Sequence, residues 1–562
     1  MRKTTLLTLL IFACTFNSYA NGITVQKVAL SDTNRTAKTV NIRFNISWEN
    51  SWRDSVNWDA AWIFVKFREP KDSVWKYRHL HLAGSGNTGS GNATMKFAFS
   101  DDKKGVFFYR NDISSGHVKM DSVKLLWNYG ADNVMLIDSI EIKVFATEMV
   151  YVPAGSFALG DGNGTLKSNN AFQLKNAQNN YVVITDKWSP LVNTKNNASL
   201  TGNDDAVLYT DGIRISGLDG LDTNNDKVAD LPDFPTGYRA FYCMKYDVTQ
   251  GQFADFLNTL SLRDTTVNNW SLPDTTRLKK VNTRYKMALQ NLDPFFYSIP
   301  VDPQRHTVLL DSLEVKYTVS RPDRAFGKAS QQHLLSFSDW AGLRPMSEME
   351  YEKAARGPLP PTYKSYPSGF PSTGDTTMQW TGFDWAWGND TSIARATNMF
   401  NSTYSILNYS GIENGTETFN NYNIYKRYVN PLYGGGNMNS KTYNGGDGGD
   451  GPFRVGIFAT DSSNRITSGA SYYGIMDLSK NVSKMMIGAG SPIGRALSYK
   501  KHGDGWLSAY GMVDNNEFLP SSNGPITGGS AYMNKTGVVS ERQNWISNII
   551  GFRSVRTAPT DN

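Results

Sequence analysis

The chain has 562 residues, 40% of them hydrophobic, 12% aromatic and 19% charged, with 49 glycines. This length predicts two to four domains with large cores, and the composition excludes a disordered chain or a coiled coil and favours a strand-rich, loop-rich protein. The net charge of +6 is spread without a basic run, so nucleic acid is not an expected partner.

The first predicted element is an export signal over residues 1–20. Arg2 and Lys3 form a positive start, Leu6 to Phe16 an apolar stretch, and Ser18-Tyr19-Ala20 a small-residue cleavage site. Cleavage after Ala20 would place the mature protein outside the cytoplasm: secreted, periplasmic or associated with an outer membrane. Ile11-Phe12-Ala13-Cys14 offers the rival reading of a lipoprotein signal. No later stretch reaches the ~18 apolar residues of a membrane helix, so no transmembrane helix is expected in the mature chain. Cys14 leaves with the signal. Cys243 stands alone in the strand-like run Ala240–Met244, where it reads as a small buried hydrophobe.

Residues 21–146 read as a β-sandwich-like domain. Thr39–Ile46 alternates with period two, Ala61–Phe67 is a more buried strand, and Trp75–Leu82, Thr94–Phe99, Val106–Arg110 and Ile137–Phe145 continue the pattern between Gly/Asn/Ser turns. His79 and His81 fall on one face of a strand. With no third ligand type nearby, they read as partly exposed polar residues rather than a metal pair.

From Met149 compact segments alternate with polar insertions at roughly 163–232, 262–325, 358–380, 401–452 and 495–525. Met149–Gly160 predicts strand, turn, strand. Phe241–Leu257 predicts a strand and then a helix capped by Thr249, with Phe253, Phe256 and Leu257 on one face. Leu343–Gly357 predicts a helix in which Ser347 and Glu350 form a capping box and Gly357 is the stop. Gly474–Val482 follows, and Gly551-Phe552-Arg553-Ser554-Val555-Arg556 closes the chain.

In this order these five segments resemble the formylglycine-generating enzyme, or sulfatase-modifying factor, family over roughly residues 147–559 of a domain spanning 147–562, with the insertions unmatched. The resemblance implies a C-type-lectin-like α+β domain, preceded here by the β-sandwich-like one. It also implies an oxidase that converts a sulfatase cysteine to formylglycine with copper(I) held by two thiolates, the ligands that select this ion. The family's two cysteines follow a Gly-Gly-Ser element, here Gly528-Gly529-Ser530, and their positions fall near Met533 and Val538. No cysteine lies between Gly528 and Asn562, so copper is not an expected cofactor and no catalytic residue is assigned.

The family's calcium positions are also altered. Its Gly-Asn-Val-Trp-Glu-Trp motif reads Lys480-Asn481-Val482-Ser483-Lys484-Met485, with a cation at the carboxylate position. Asn398 is kept as a residual calcium position, but its acidic partner falls at Gly456. The three-histidine motif of related sulfoxide-forming enzymes is absent. His306, His333 and His502 are widely separated.

A separate candidate calcium loop lies in the first insertion. Asp222, Asn224, Asp226, Asp230 and Asp233 supply oxygens at loop positions 1, 3, 5, 9 and 12, and Val228 a carbonyl at position 7. Lys227 stands where this loop wants glycine, so a solvated acidic turn is the competing reading. The glycine-rich stretches 434–436 and 445–451 follow no strand and open no helix, and read as loops.

Together these features predict a secreted or cell-envelope, non-catalytic member of the family acting as a binding or scaffold protein. Relatives in bacterial secretion and gliding machinery at the outer membrane point to a protein partner before a glycan. The alternative is a formylglycine-generating oxidase, or another redox enzyme acting on a protein cysteine.

Overall fold

A computed structural model describes residues 22–69, 77–135, 137, 140–162, 180–185, 209–210, 213–214, 233–260, 278–282, 287–288, 315–319, 322–327, 329–359, 454–456, 470–478, 482–488, 494, 496–507, 513, 518, 531–534 and 550–560. The export signal, Asn398, Val538, His306 and both glycine-rich stretches lie outside them.

The amino-terminal strands are β1 (Thr24–Asn34), β2 (Thr39–Arg53), β3 (Asp59–Arg68), β4 (Arg78–His79), β5 (Leu82–Asn87), β6 (Ser90–Gly91), β7 (Met95–Phe99), β8 (Val106–Arg110), β9 (Ser114–Asn128) and β10 (Glu141–Val152). One sheet runs β1-β2-β9-β5, with β6 also on β9. It packs on the sheet that contains β10, β3, β8 and β7. Alternation on β2 sends Val40, Ile42, Phe44, Ile46 and Trp48 into the space between the sheets, against Val118, Met120, Val123, Leu125 and Trp127 of β9. This is the expected sandwich.

Four of its strands, β1, β5, β6 and β9, are not legible in the sequence, and β5 runs through residues 84–87, expected as a Gly/Ser/Asn turn. β1 and β9 carry bulges that break the two-residue period: Lys27, Asp32 and Ser122 all have positive φ, and the pairing registers shift beside them. The Trp75–Leu82 strand is shorter than expected, its described part being β4 and the start of β5.

Beyond β10, β11 (Phe157–Gly162) pairs with β12 (Asn180–Ile184), and β13 (Tyr209–Thr210) with β14 (Ile213–Arg214). Then come β15 (Phe241–Met244), β16 (Leu278–Asn282), β17 (Met287–Ala288), β18 (Val315–Val319), β19 (Arg344–Pro345), β20 (Ser483–Ile487), β21 (Ala531–Asn534), β22 (Ile550–Phe552) and β23 (Ser554–Thr557). The helices among the described residues are α1 (Gln250–Leu257), α2 (Gln331–Trp340) and α3 (Glu348–Arg356). The described chain is thus α+β and rich in antiparallel sheet.

One large sheet, in the order β19-β23-β15-β10-β3-β8-β7, joins the two halves. β10 pairs with β3 from Glu141 to Val150 and with β15 from Met149 to Val152. The boundary read between residues 146 and 147 therefore falls inside a strand. β3 is buried on both faces. Ala61, Ile63, Val65 and Phe67 fill the sandwich, while Ala60, Trp62 and Phe64 meet α1 and α2 through Phe256, Leu334, Phe337 and Trp340. Where the large sheet extends beyond the sandwich, α3 covers the vacated face, and Tyr351, Ala354 and Ala355 pack on Val150, Val152, Phe241 and Cys243.

The caps at α1 and α3 form as read. The Thr249 hydroxyl accepts from Gln252 N at 3.1 Å, and the Ser347 hydroxyl accepts from Glu350 N at 3.1 Å. The third helix, α2, carries a capping box built from Ser330 and His333.

Candidate functional site

The site is built where β15 ends. Strand alternation stops at Met244, and Lys245-Tyr246-Asp247-Val248 crosses to the Thr249 cap of α1. This crossing carries two buried charges, of which Lys245 reaches the amino-terminal half. Lys245 Nζ lies 2.9 Å from Glu148 Oε2 on β10 and 3.2 Å from Asp59 Oδ2 at the start of β3, and donates to Asn50 O at 3.2 Å. Burial is the largest influence and opposes the ammonium charge, but Glu148, Tyr246 and Asp59 together outweigh it and hold Lys245 well above its ordinary value. Asp59 is oriented by Ser51 Oγ at 2.9 Å, Trp52 N at 2.9 Å and Trp48 Nε1 at 3.2 Å.

Two residues on, Asp247 faces groups of the second half. Its Oδ1 accepts from Arg553 Nη2 at 2.7 Å and Nε at 3.2 Å, and its Oδ2 lies 3.2 Å from Lys484 Nζ. Arg553 follows β22 directly and also donates to the carbonyls of Met244 (3.1 Å) and Met476 (3.0 Å). Lys484, on β20, donates to Val482 O at 2.7 Å. Burial lowers its ammonium to about 8 against the pull of Asp247. Asp477 completes the group from a left-handed turn, φ 56°. Its Oδ2 accepts from Gly456 N at 2.6 Å, and burial together with the charge of Asp247 raises it to about 6.

Three of these seven groups are cations and four are acids, and all are buried. Interior charges are tolerated when paired in this way. Among the described residues no three His, Cys, Asp or Glu side chains are arranged to hold a metal ion.

The structure distributes the residues singled out in the sequence as follows. Met533 lies on β21 directly opposite Met485 of β20, next to the strand that carries Lys484. Lys484 is not merely repellent to a cation: its own ammonium, matched by Asp247, occupies the neighbourhood. A thioether at Met533 and an alkyl group at Val538 lack the two thiolates copper(I) requires, and an ammonium at the motif's carboxylate position does not fit calcium. Of the candidate calcium loop, Asp222, Asn224, Asp226, Val228 and Asp230 lie outside the described residues. Asp233 is described, half-exposed, with Oδ1 2.6 Å from Lys500 Nζ and its carbonyl accepting from Tyr499 N.

Cys243 is wholly buried, and burial pushes its thiol up to about 12. It is protonated near neutrality and no nucleophile. The histidine pair is not a pair. His81 Nδ1 is 2.6 Å from Asp132 Oδ1, whereas His79 is 1% exposed rather than at the surface and bonds through Nε2 to Lys104 O. The expectation of two partly exposed histidines on one face fails because His79 is covered by Gly342 and Gly505 of the second half.

Sequence reading missed Asp59, Glu148, Lys245, Asp247 and Asp477. One signal was available: charged residues interrupting apolar runs, as in Met244-Lys245-Tyr246-Asp247-Val248 and Ile475-Met476-Asp477-Leu478. Arg553 was noted within its motif, but not for its pairing with Asp247. No protein-family model matches the chain, and no curated protein matches it.

Proposed function

We propose that this protein is a secreted or cell-envelope, non-catalytic member of the formylglycine-generating enzyme family that acts as a binding or scaffold protein. The observation carrying this reading is Lys484. A buried ammonium, already neutralised by Asp247, takes the place where the family motif has a carboxylate, on the strand beside Met533. The chemistry of the inherited site is thereby replaced by a self-contained ion-pair network of Asp247 with Arg553 and Lys484 inside the second half. The continuous sheet supplies a frame, and the sequence carries long polar insertions between the segments that build the second half. Such an arrangement suits display of loops to a protein partner at the cell envelope.

The test is chemical. The full-length mature protein is incubated with a sulfatase-type cysteine peptide, oxygen and copper, and the peptide is weighed by mass spectrometry. The expected outcome is an unchanged mass. Copper-dependent conversion of the cysteine to formylglycine would overturn the reading in favour of an oxidase.

A further inference from the structure

The loop from Tyr499 to Leu507 lies against both halves of the molecule. Thr557 Oγ1 donates to Tyr499 O at 2.6 Å, and Gly503 N to Leu343 O at 2.7 Å. Gly505 N donates to Asp339 Oδ1 at 3.1 Å, at the end of α2, while Lys66 Nζ from β3 donates to Gly505 O at 3.2 Å. Beside this loop the large sheet and α2 are joined by Trp62 Nε1, which donates to Ala341 O at 2.8 Å.

Two histidines lie against the loop, and in each one ring nitrogen has no acceptor for a further proton. The half-buried His502 accepts the Thr557 backbone N–H through Nε2 at 3.0 Å, so that nitrogen must present a lone pair. His79 bonds through Nε2 to Lys104 O. A carbonyl only accepts, so Nε2 carries a proton, and Nδ1 is the bare nitrogen of the neutral ring. Nδ1 has no hydrogen-bond partner and faces the backbone of Gly505, so closely that a Cβ there would lie 2.2 Å away. Gly505 also has φ +78°, a conformation that favours glycine.

The charged groups around both rings are set against a further proton. His79 is faced by Lys66 of β3, Lys104 of the turn before β8 and Arg556 of β23. The nearby Asp339 carboxylate is engaged by Gly505 N. His502 is faced by Arg556 and by Arg344 of β19. Arg556 is matched by Asp102 and Arg344 by Glu350. Burial first, and these cations second, hold both imidazoles well below 6.5. The unfolded chain therefore binds these protons more readily than the folded one. Stability from the two rings is present above that value and is lost as pH falls.

We propose that His79 and His502 form an acid-sensitive latch that releases the Tyr499–Leu507 loop from the junction between the sandwich and α2. Protonating His502 sets an Nε2–H against the Thr557 N–H. Protonating His79 places an Nδ1–H against Gly505 with no acceptor. Either event expels the loop, and Trp506, already 42% exposed, moves fully into solvent. This inference is independent of whether the protein is catalytic.

Hydrogen exchange followed by mass spectrometry, corrected for the intrinsic pH dependence of exchange, tests it on the full-length mature protein. Between about pH 7 and about pH 4.5, exchange in peptides covering 499–507 is expected to rise roughly tenfold while β2 and β9 stay protected. His79→Gln with His502→Gln should flatten that rise, because glutamine can donate or accept at each position but does not titrate. Unchanged loop protection in the wild type would overturn the proposal without recourse to the variants. So would a rise occurring only together with β2 and β9, or an equal rise in the double variant.

Discussion

At the residue scale, the buried charges around Asp247 are unequal in what they support. Asp247 is shared by two cations, Arg553 and Lys484. Replacing Lys484 with methionine removes one of them and leaves Asp247 held by Arg553. Replacing Asp247 with asparagine leaves two buried cations without their carboxylate. Breaking a buried pair costs about 3–5 kcal/mol. We therefore expect Lys484→Met near the lower end of that range and Asp247→Asn near or above the upper end, measured by urea unfolding. The reverse order would show that Lys484 rather than Asp247 is the centre of the network. Residues of this kind are hard to read from sequence. A charge in an apolar run looks alike whether it is paired or solvated, and Lys484, Asp247 and Arg553 lie 69 to 306 positions apart.

At the element scale, local chemistry was legible where it is local. Thr249 and Ser347 cap their helices because each hydroxyl needs only the amide three residues on. Their surroundings differ. Ser347 is fully buried, and its hydroxyl also donates to Pro235 O at 2.5 Å, while Glu350 reaches back to Ser347 N at 3.1 Å and to Arg344 at 2.6 and 2.8 Å. Thr249 is half-buried, with a capping box to Gln252. Loss of a cap costs about 1 kcal/mol, rising to about 2 in buried settings. Ser347→Ala should therefore lower stability by about 2 kcal/mol and Thr249→Ala by about 1, read from thermal unfolding of each single variant. Equal effects would mean that the Pro235 contact adds nothing. α2 went unread although Leu334, Phe337 and Trp340 follow helical spacing, because its capping box uses His333 where Glu or Gln is the usual signal.

At the scale of the whole molecule, the two halves are one folded unit. β10 belongs to both, and the face that receives α1 and α2 is built from Trp62, Phe64, Phe107 and Tyr109 of the amino-terminal part together with Met149, Tyr242 and Met244. A fragment beginning at residue 147 would lose the pairing of β10 with β3 and uncover those helices. We expect it to lack a cooperative thermal transition and to bind a hydrophobic dye, as chains with unpacked cores do. A sharp transition in that fragment, with native-like near-ultraviolet dichroism, would show that the second half folds alone.

The amino-acid sequence by itself determined the strand-rich sandwich, the capped helices α1 and α3 and the burial of Cys243. Each follows from periodicity or from contacts a few residues apart. The tertiary structure alone decided that the sandwich continues into the second half through β10, that His79 is covered by Gly342 and Gly505, and that Lys484 meets Asp247. The same divide appears at the bulges of β1, β2 and β9. A bulge is set by the partner strand's register, and in β9 that partner, β2, lies more than sixty residues earlier in the chain. Pairing across such distances depends on which surfaces the fold brings together, and local spacing carries no record of it.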